Sequence, residues 1–130
     1  MDFRSTFLAL VVVQALHSTE EYVFRLYEVF PPARFLSGLI NPDLETGFLI
    51  ANVSFVAFGA FCYWWPVRKG WPIAVAFAWG WVVVETINGI GHPTWSVMQG
   101  GYTPGLATSL LFPPLALLLA RSLVRVKANA

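Results

Sequence analysis

His17, Glu20 and Glu21 are spaced i, i+3 and i+4, so on a helix one imidazole and two carboxylates share a side. A second set, Glu85, Asn88 and His92, is spaced i, i+3 and i+7, again one helical face. Together they offer two imidazoles, three carboxylates and an amide. Inward-facing Glu and His hold metals in helical bundles, and a mixed nitrogen–oxygen set suits zinc, iron or manganese. The first set follows the apolar run Phe7 to Leu16. Ionisable groups in a membrane-grade helix cost about 2.5–3.5 kcal/mol each on insertion scales. Something must offset that cost: a metal, a proton partner or a water-filled site.

The elements that position these residues read as membrane helices. The chain has 130 residues, 57% of them hydrophobic and 12% charged, about half the charged fraction with which a soluble domain covers its surface. A net charge of +1 gives no basic field for nucleic acid. The single cysteine, Cys62, excludes an intramolecular disulfide and reads as a small buried hydrophobe. Stretches of about 20 apolar residues, the length a bilayer core requires, occur at 5–29, 46–65, 71–91 and 105–124. Pro31-Pro32 is expected to stop the first, Pro66 the second, and His92-Pro93 the third. The longest polar loop is expected between Gly38 and Glu45. Arg4 and the apolar core after it resemble a signal peptide, but without a convincing small-x-small cleavage site; a retained first span is expected. The fold expected is all-α, a four-helix transmembrane bundle with short loops in a single domain, 1–130. Arg68, Lys69, Arg121, Arg125 and Lys127 place both termini on the cytoplasmic side, in a bacterial inner membrane.

At 1.5 Å per residue, His17 lies roughly 18 Å and Glu20–Glu21 roughly 23 Å above the inner end of the first span. Glu85 and Asn88 lie about 21 and 26 Å above the inner end of the third. Asn52, about 9 Å below the outer face, meets them, and Thr108 comes within about one turn. One polar layer in the outer half of the bilayer is therefore expected above an apolar inner half. The turn Gly100-Gly101-Tyr102-Thr103-Pro104-Gly105 lies over this layer. Thr103 could cap the fourth helix with Pro104 at its first position, and Trp95 and Tyr102 could roof the site or anchor the interface. Pro113-Pro114 removes two helical hydrogen bonds, which opens a lateral entrance or merely adjusts packing.

Other readings of the same residues stay open. Glu20 and Glu21 are adjacent, about 100° apart around a helix, so both need not point inward, and Glu21 could pair with Arg25 at i+4. His92 could simply cap the third span. The polar layer is then a metal site, a metal-free acid–base site or a structural hydrogen-bond network.

The pattern His17-Ser18-Thr19-Glu20-Glu21 resembles the signature of the HXXEE family of small integral membrane proteins. Asn88-Gly89-Ile90-Gly91-His92 and Tyr102-Thr103-Pro104-Gly105-Leu106-Ala107-Thr108 resemble that family's second half. The resemblance covers most of the chain and implies that His17, Glu20, Glu21, Asn88 and His92 form one site. It implies no activity.

The reading of the chain as a whole is a membrane-embedded, metal-dependent enzyme acting on a hydrophobic substrate that enters from the bilayer. His17, Glu20 and His92 are the preferred ligands of a divalent metal, and Glu21 or Glu85 completes the shell or acts as general acid/base. Asn52, Asn88, Trp95, Tyr102 and Thr108 are expected to line the substrate site. Hydrolysis, isomerisation or cyclisation, and oxidation fit equally. No organic cofactor and no nucleic acid is expected, and a homo-oligomer is compatible. The alternatives are a metal-free acid–base isomerase or cyclase, and a non-enzymatic subunit that binds or transports protons or a lipophile.

Overall fold

The computed structural model describes residues 1–128, with side chains as far as Val126, so the side chain of Lys127 lies outside the described set. Among the described residues the chain is helical and has no strand. Helix α1 spans Phe3–Val23, α2 Leu26–Val29, α3 Pro31–Ile40, α4 Leu44–Cys62, α5 Ala74–Gln99, α6 Leu106–Ser109 and α7 Phe112–Ala128. A π-helical turn, Tyr63–Val67, extends α4; it accommodates Pro66, which has no N–H for the regular ladder.

Capping explains where the helices start. Asp2 accepts from the Ser5 N–H at 2.7 Å and opens α1, and Asp43 accepts from the Thr46 N–H at 3.0 Å and opens α4. Helix α1 ends at Val23, and Arg25, which leads into α2, adopts a left-handed conformation with φ 59°. The Arg25 guanidinium bonds Glu28 at 2.5 Å rather than Glu21, which removes the i+4 pair weighed from the sequence.

Five expectations about element boundaries are corrected: the first span, expected over 5–29, breaks after Val23, the second runs through Pro66 to Val67 as a π-helical turn, and three more concern the segments that follow. Pro31-Pro32 stops one helix but also opens another, because proline suits the first helical turn; the expected Gly38–Glu45 loop thus shrinks to a turn at 41–43. Helix α3 packs along the start of α4, where a Cβ on Gly47 would come 2.1 Å from the Ser37 carbonyl oxygen. The third span does not stop at His92-Pro93 but runs through it to Gln99. The fourth is broken between α6 and α7, so Pro113 and Pro114 sit in the first turn of α7, where missing N–H groups cost little.

Among the described residues three helical stretches are long and apolar enough to cross a membrane: Leu44–Val67, Ala74–Gln99 and Leu106–Val126, of 24, 26 and 21 residues, the last including the break between α6 and α7. Helix α1 has the length, 21 residues, or about 32 Å, but Gln14, His17, Glu20 and Glu21 occupy its second half. Outward faces carry exposed Val53, Val83, Ile87, Ile90, Leu117 and Val124, an apolar surface of the kind lipid covers.

Two apolar clusters bracket the polar layer. The first packs Phe7, Leu10 and Val11 of α1 against Cys62, Val67, Ala78, Trp81, Leu119 and Leu123. The second gathers Leu26, Tyr27 and Phe48, with Phe30 and Trp95 against them. Buried Gln14, His17, Ser18, Glu21, Glu85 and His92 lie between.

Candidate metal centre

The buried polar stripe of α1 is Gln14, His17, Ser18 and Glu21, spaced i, i+3, i+4 and i+7, one face of a helix. Opposite it, α5 buries Glu85, Gly89, His92 and Ser96. Where the faces meet, Glu21 Oε1 lies 3.2 Å from His17 Nε2 and 3.1 Å from His92 Nε2. Each of the three residues offers a ligand atom, and those atoms all lie within 4.8 Å of one another. The imidazoles meet edge to face with centroids 4.6 Å apart.

Two sides of this triangle suit a small divalent ion. Ligands at 2.0–2.1 Å in a tetrahedron stand about 3.3 Å apart, close to the two histidine–glutamate separations. Although 3.2 Å from a carboxylate oxygen, His17 Nε2 is buried without a hydrogen-bond partner. Glu20 Oε2 and His92 Nδ1 are also buried without a partner, so unsatisfied polar atoms concentrate where they would otherwise cost about 1–3 kcal/mol each.

The surrounding groups orient the two imidazoles and the motif's carboxylates. His17 Nδ1 is 2.8 Å from Thr108 Oγ1; with Nδ1–H donating to that hydroxyl, the Nε2 lone pair is left for a metal. The Thr108 N–H donates to Glu20 Oε1 at 3.1 Å. Thr108 therefore braces both ends of the first motif. Gly105, in a left-handed conformation at φ +92°, presses on both imidazoles: a Cβ there would come 2.6 Å from His92 Cε1 and 2.9 Å from His17 Cε1. A buried hydroxyl pair, Ser96 and Thr103, ties this turn to α5. Thr103 thus spends its side chain on α5 instead of capping the fourth helix; Gly105 holds the cap position of α6.

Glu85 belongs to a second, adjoining network. It is fully buried, and its Oε2 accepts from Asn88 Nδ2 at 2.9 Å. The Gln14 amide places its nitrogen 2.9 Å from Glu85 Oε1 and 3.2 Å from Oε2, while its oxygen accepts from Ser18 Oγ at 2.9 Å. A carboxylate can only accept, so the amide nitrogen must face it. Glu20 and Glu85 both stand outside the three-residue cluster.

The remaining expected residues divide by location. Asn52, Asn88, Glu21 and His92 line one cavity of about 240 Å³, together with Leu26, Phe30, Ala33, Leu36 and Phe48 among others. Trp95 packs tilted against Phe30 with centroids 4.6 Å apart and lines a second cavity, of about 400 Å³, on the outer face of α5. Tyr102 is half-exposed against Phe24; partial burial and then the nearby Glu20 carboxylate push its hydroxyl pKa up. Pro113 packs so tightly on Gly89 that a Cβ would meet its ring at 2.7 Å, so at this level Pro113 fills the α5–α7 seam.

Sequence reasoning passed over Gln14, Ser18 and Gly105. Gln14 and Ser18 carried a signal, since they complete the i, i+3, i+4, i+7 stripe with His17 and Glu21. Nothing local marks Gly105 as the contact of two histidines seventy or more positions of fold away from one another.

A family model described as a protein of unknown function with HXXEE motif matches residues 8–119. The chain belongs to the HXXEE family. The match runs from within α1 into α7, so it contains the HXXEE motif, His92, the Gly105 turn and Thr108. No curated protein and no solved structure matches the chain.

Proposed function

We propose that the HXXEE motif, with His92, forms a divalent-metal centre within the bilayer, and that the protein is a membrane enzyme acting on a hydrophobic substrate. The observation that carries this reading is the triangle of His17 Nε2, Glu21 Oε1 and His92 Nε2, with two sides of 3.2 and 3.1 Å and no hydrogen bond at His17 Nε2. In this reading α1 is a fourth membrane helix, both termini are cytoplasmic, and the centre lies in the outer half of the bilayer. Charge supports it. Arg25 is taken by Glu28, so among the described residues no lysine or arginine pairs with Glu20 or Glu21, and a dication would balance the two in a medium where uncompensated charge is expensive. Three protein ligands leave a coordination position free, as in catalytic rather than structural sites. Bound there, a divalent ion supplies Lewis acidity towards a substrate oxygen. Glu20, held by the Thr108 N–H through one oxygen, keeps its other oxygen available to move a proton.

Membranes expressing the wild type and His17→Ala supply the test: their extracted lipids are compared by mass spectrometry, with and without chelator. The proposal expects a lipid product that depends on His17 and disappears with the metal. A product made by protein that takes up no metal would favour the second reading, acid–base catalysis by a histidine–glutamate pair, for which the 3.1 Å His92–Glu21 separation is also suitable. Bound metal with no change in any lipid would make the centre structural.

A further inference from the structure

We infer that Asn52 and Asn88 select a neutral amphiphile, an apolar chain ending in a hydroxyl, and present that hydroxyl to the Glu21–His92 edge of the centre. The inference deepens the proposed function and rests on its cavity.

Both amides are fixed in orientation by partners that can only accept. Asn88 Nδ2 donates to the Glu85 carboxylate at 2.9 Å, and Asn52 Nδ2 donates to the Phe48 carbonyl at 3.1 Å. With the nitrogens so committed, each side chain retains a carbonyl oxygen that accepts no hydrogen bond among the described residues. The two asparagines come from different helices, α4 and α5, and line the same 240 Å³ cavity as Glu21 and His92. The rest of that wall is almost entirely apolar. Such a cavity is complementary to a hydrocarbon chain with one donor group. An ammonium head is disfavoured once a dication balances Glu20 and Glu21, which leaves a neutral donor, and a hydroxyl is the simplest.

The same wall shows how the chain is housed. Phe30, Asn88 and His92 line both this cavity and the 400 Å³ one on the outer face of α5. That second cavity reaches Ile87, Ile90 and Met98, whose side chains are exposed where lipid would lie. A chain passing the Phe30–Trp95 pair would keep its tail towards lipid and its head between the asparagines. Glu85 and Gln14 then have a definite use: they are positioning residues that hold the Asn88 amide with its oxygen towards the substrate.

The test uses two isomers of one formula, 1-octanol and 1-methoxyheptane, which differ in having or lacking the donor. Binding to the metal-depleted full-length protein in micelles is measured by equilibrium dialysis against empty micelles. One hydrogen bond gained predicts octanol binding about 3- to 10-fold tighter than the ether. Asn88→Leu and Asn52→Leu should each reduce that ratio, which is taken within each variant so that any change Leu makes to ether binding divides out. Should Asn88→Leu fail to fold for want of its Glu85 bond, Asn52→Leu, which gives up only a bond within its own helix, decides alone. Equal binding of the isomers by the wild type, or a ratio that neither variant changes, overturns the inference. Metal content of the undepleted sample is read in parallel: a preserved ratio in protein that never takes up metal overturns the metal centre and leaves this selection intact.

Discussion

Replacing Gly105 with alanine isolates the contact between the outer turn and the two imidazoles. The new Cβ would lie 2.6 Å from His92 Cε1, 2.8 Å from His92 Nδ1 and 2.9 Å from His17 Cε1. Optimal carbon contacts begin near 3.5 Å, so the rings must retreat by roughly 0.6–0.9 Å. Metal–ligand distances tolerate only about 0.2 Å, and the affinity loss should reach the 10- to 100-fold typical when groups that orient ligands are altered, a range of about 10–100. The positive φ adds strain of its own, about 1–2 kcal/mol for a residue with a Cβ. Gly100 supplies the control, because it too has a positive φ, +75°, but nothing within 4 Å of its Cβ position. Gly100→Ala should therefore lower thermal stability by the strain alone and keep full metal affinity. Gly105→Ala should lose both. The assay pairs thermal unfolding in detergent with competition against a chromophoric chelator. Equal effects of the two substitutions on stability, with metal affinity unchanged in both, would refute the reasoning that this turn sets the histidine positions.

Glu85→Gln places an amide against the donors of Gln14 and Asn88; it should cost about 1–3 kcal/mol in unfolding free energy while metal content, read by elemental analysis, stays at the wild-type level. Gly47→Ala would drive a Cβ to 2.1 Å from a backbone oxygen of α3 and should destabilise by about 3 kcal/mol or more, whereas Gly80→Ala, with open space around it, should be neutral or slightly stabilising in the same melts. The hydrogen bonds of Thr46 hold the Asp43 carboxyl below its ordinary value of 3.8. Its contribution to α4 is therefore complete above that value and lost as pH falls through the lower folded one. Amide hydrogen exchange at the start of α4 should speed up over that acid range in the wild type and show no such transition in Asp43→Ala.

The site was legible in the sequence where one helix defines it, and illegible where two helices decide. Spacing alone put His17 with Glu20 or Glu21, and Glu85 with Asn88 and His92. Adjacent glutamates, however, differ only by a rotation of about 100°; α5 and the Thr108 segment select Glu21 for the histidines and Glu20 for a backbone N–H. Glu85 looked interchangeable with them because its depth is right, but its partners are amides, and Gln14 was hidden among apolar neighbours. Helix α3 was missed because Pro31-Pro32 reads locally as a stop, while the close approach of Ser37 to Gly47 that holds it is a tertiary contact. Pro93 misled in the same way: local rules end a helix there, yet the packing of Trp95 on Phe30 and of Ser96 on Thr103 carries α5 onward. The apolar half of the bundle, by contrast, needed only composition, and Phe7, Leu10, Trp81 and Leu119 pack together there.

The most direct test of the metal centre is elemental analysis of the purified protein, after mild chelator washing and reloading with zinc, iron(II) or manganese, beside single variants of each carboxylate and imidazole. The account predicts bound metal in the wild type, Glu20→Gln and Glu85→Gln, and its loss in His17→Ala, Glu21→Ala and His92→Ala, with helical content unchanged. Full metal content in Glu21→Ala, or no metal in the wild type with any of the three ions, would contradict it.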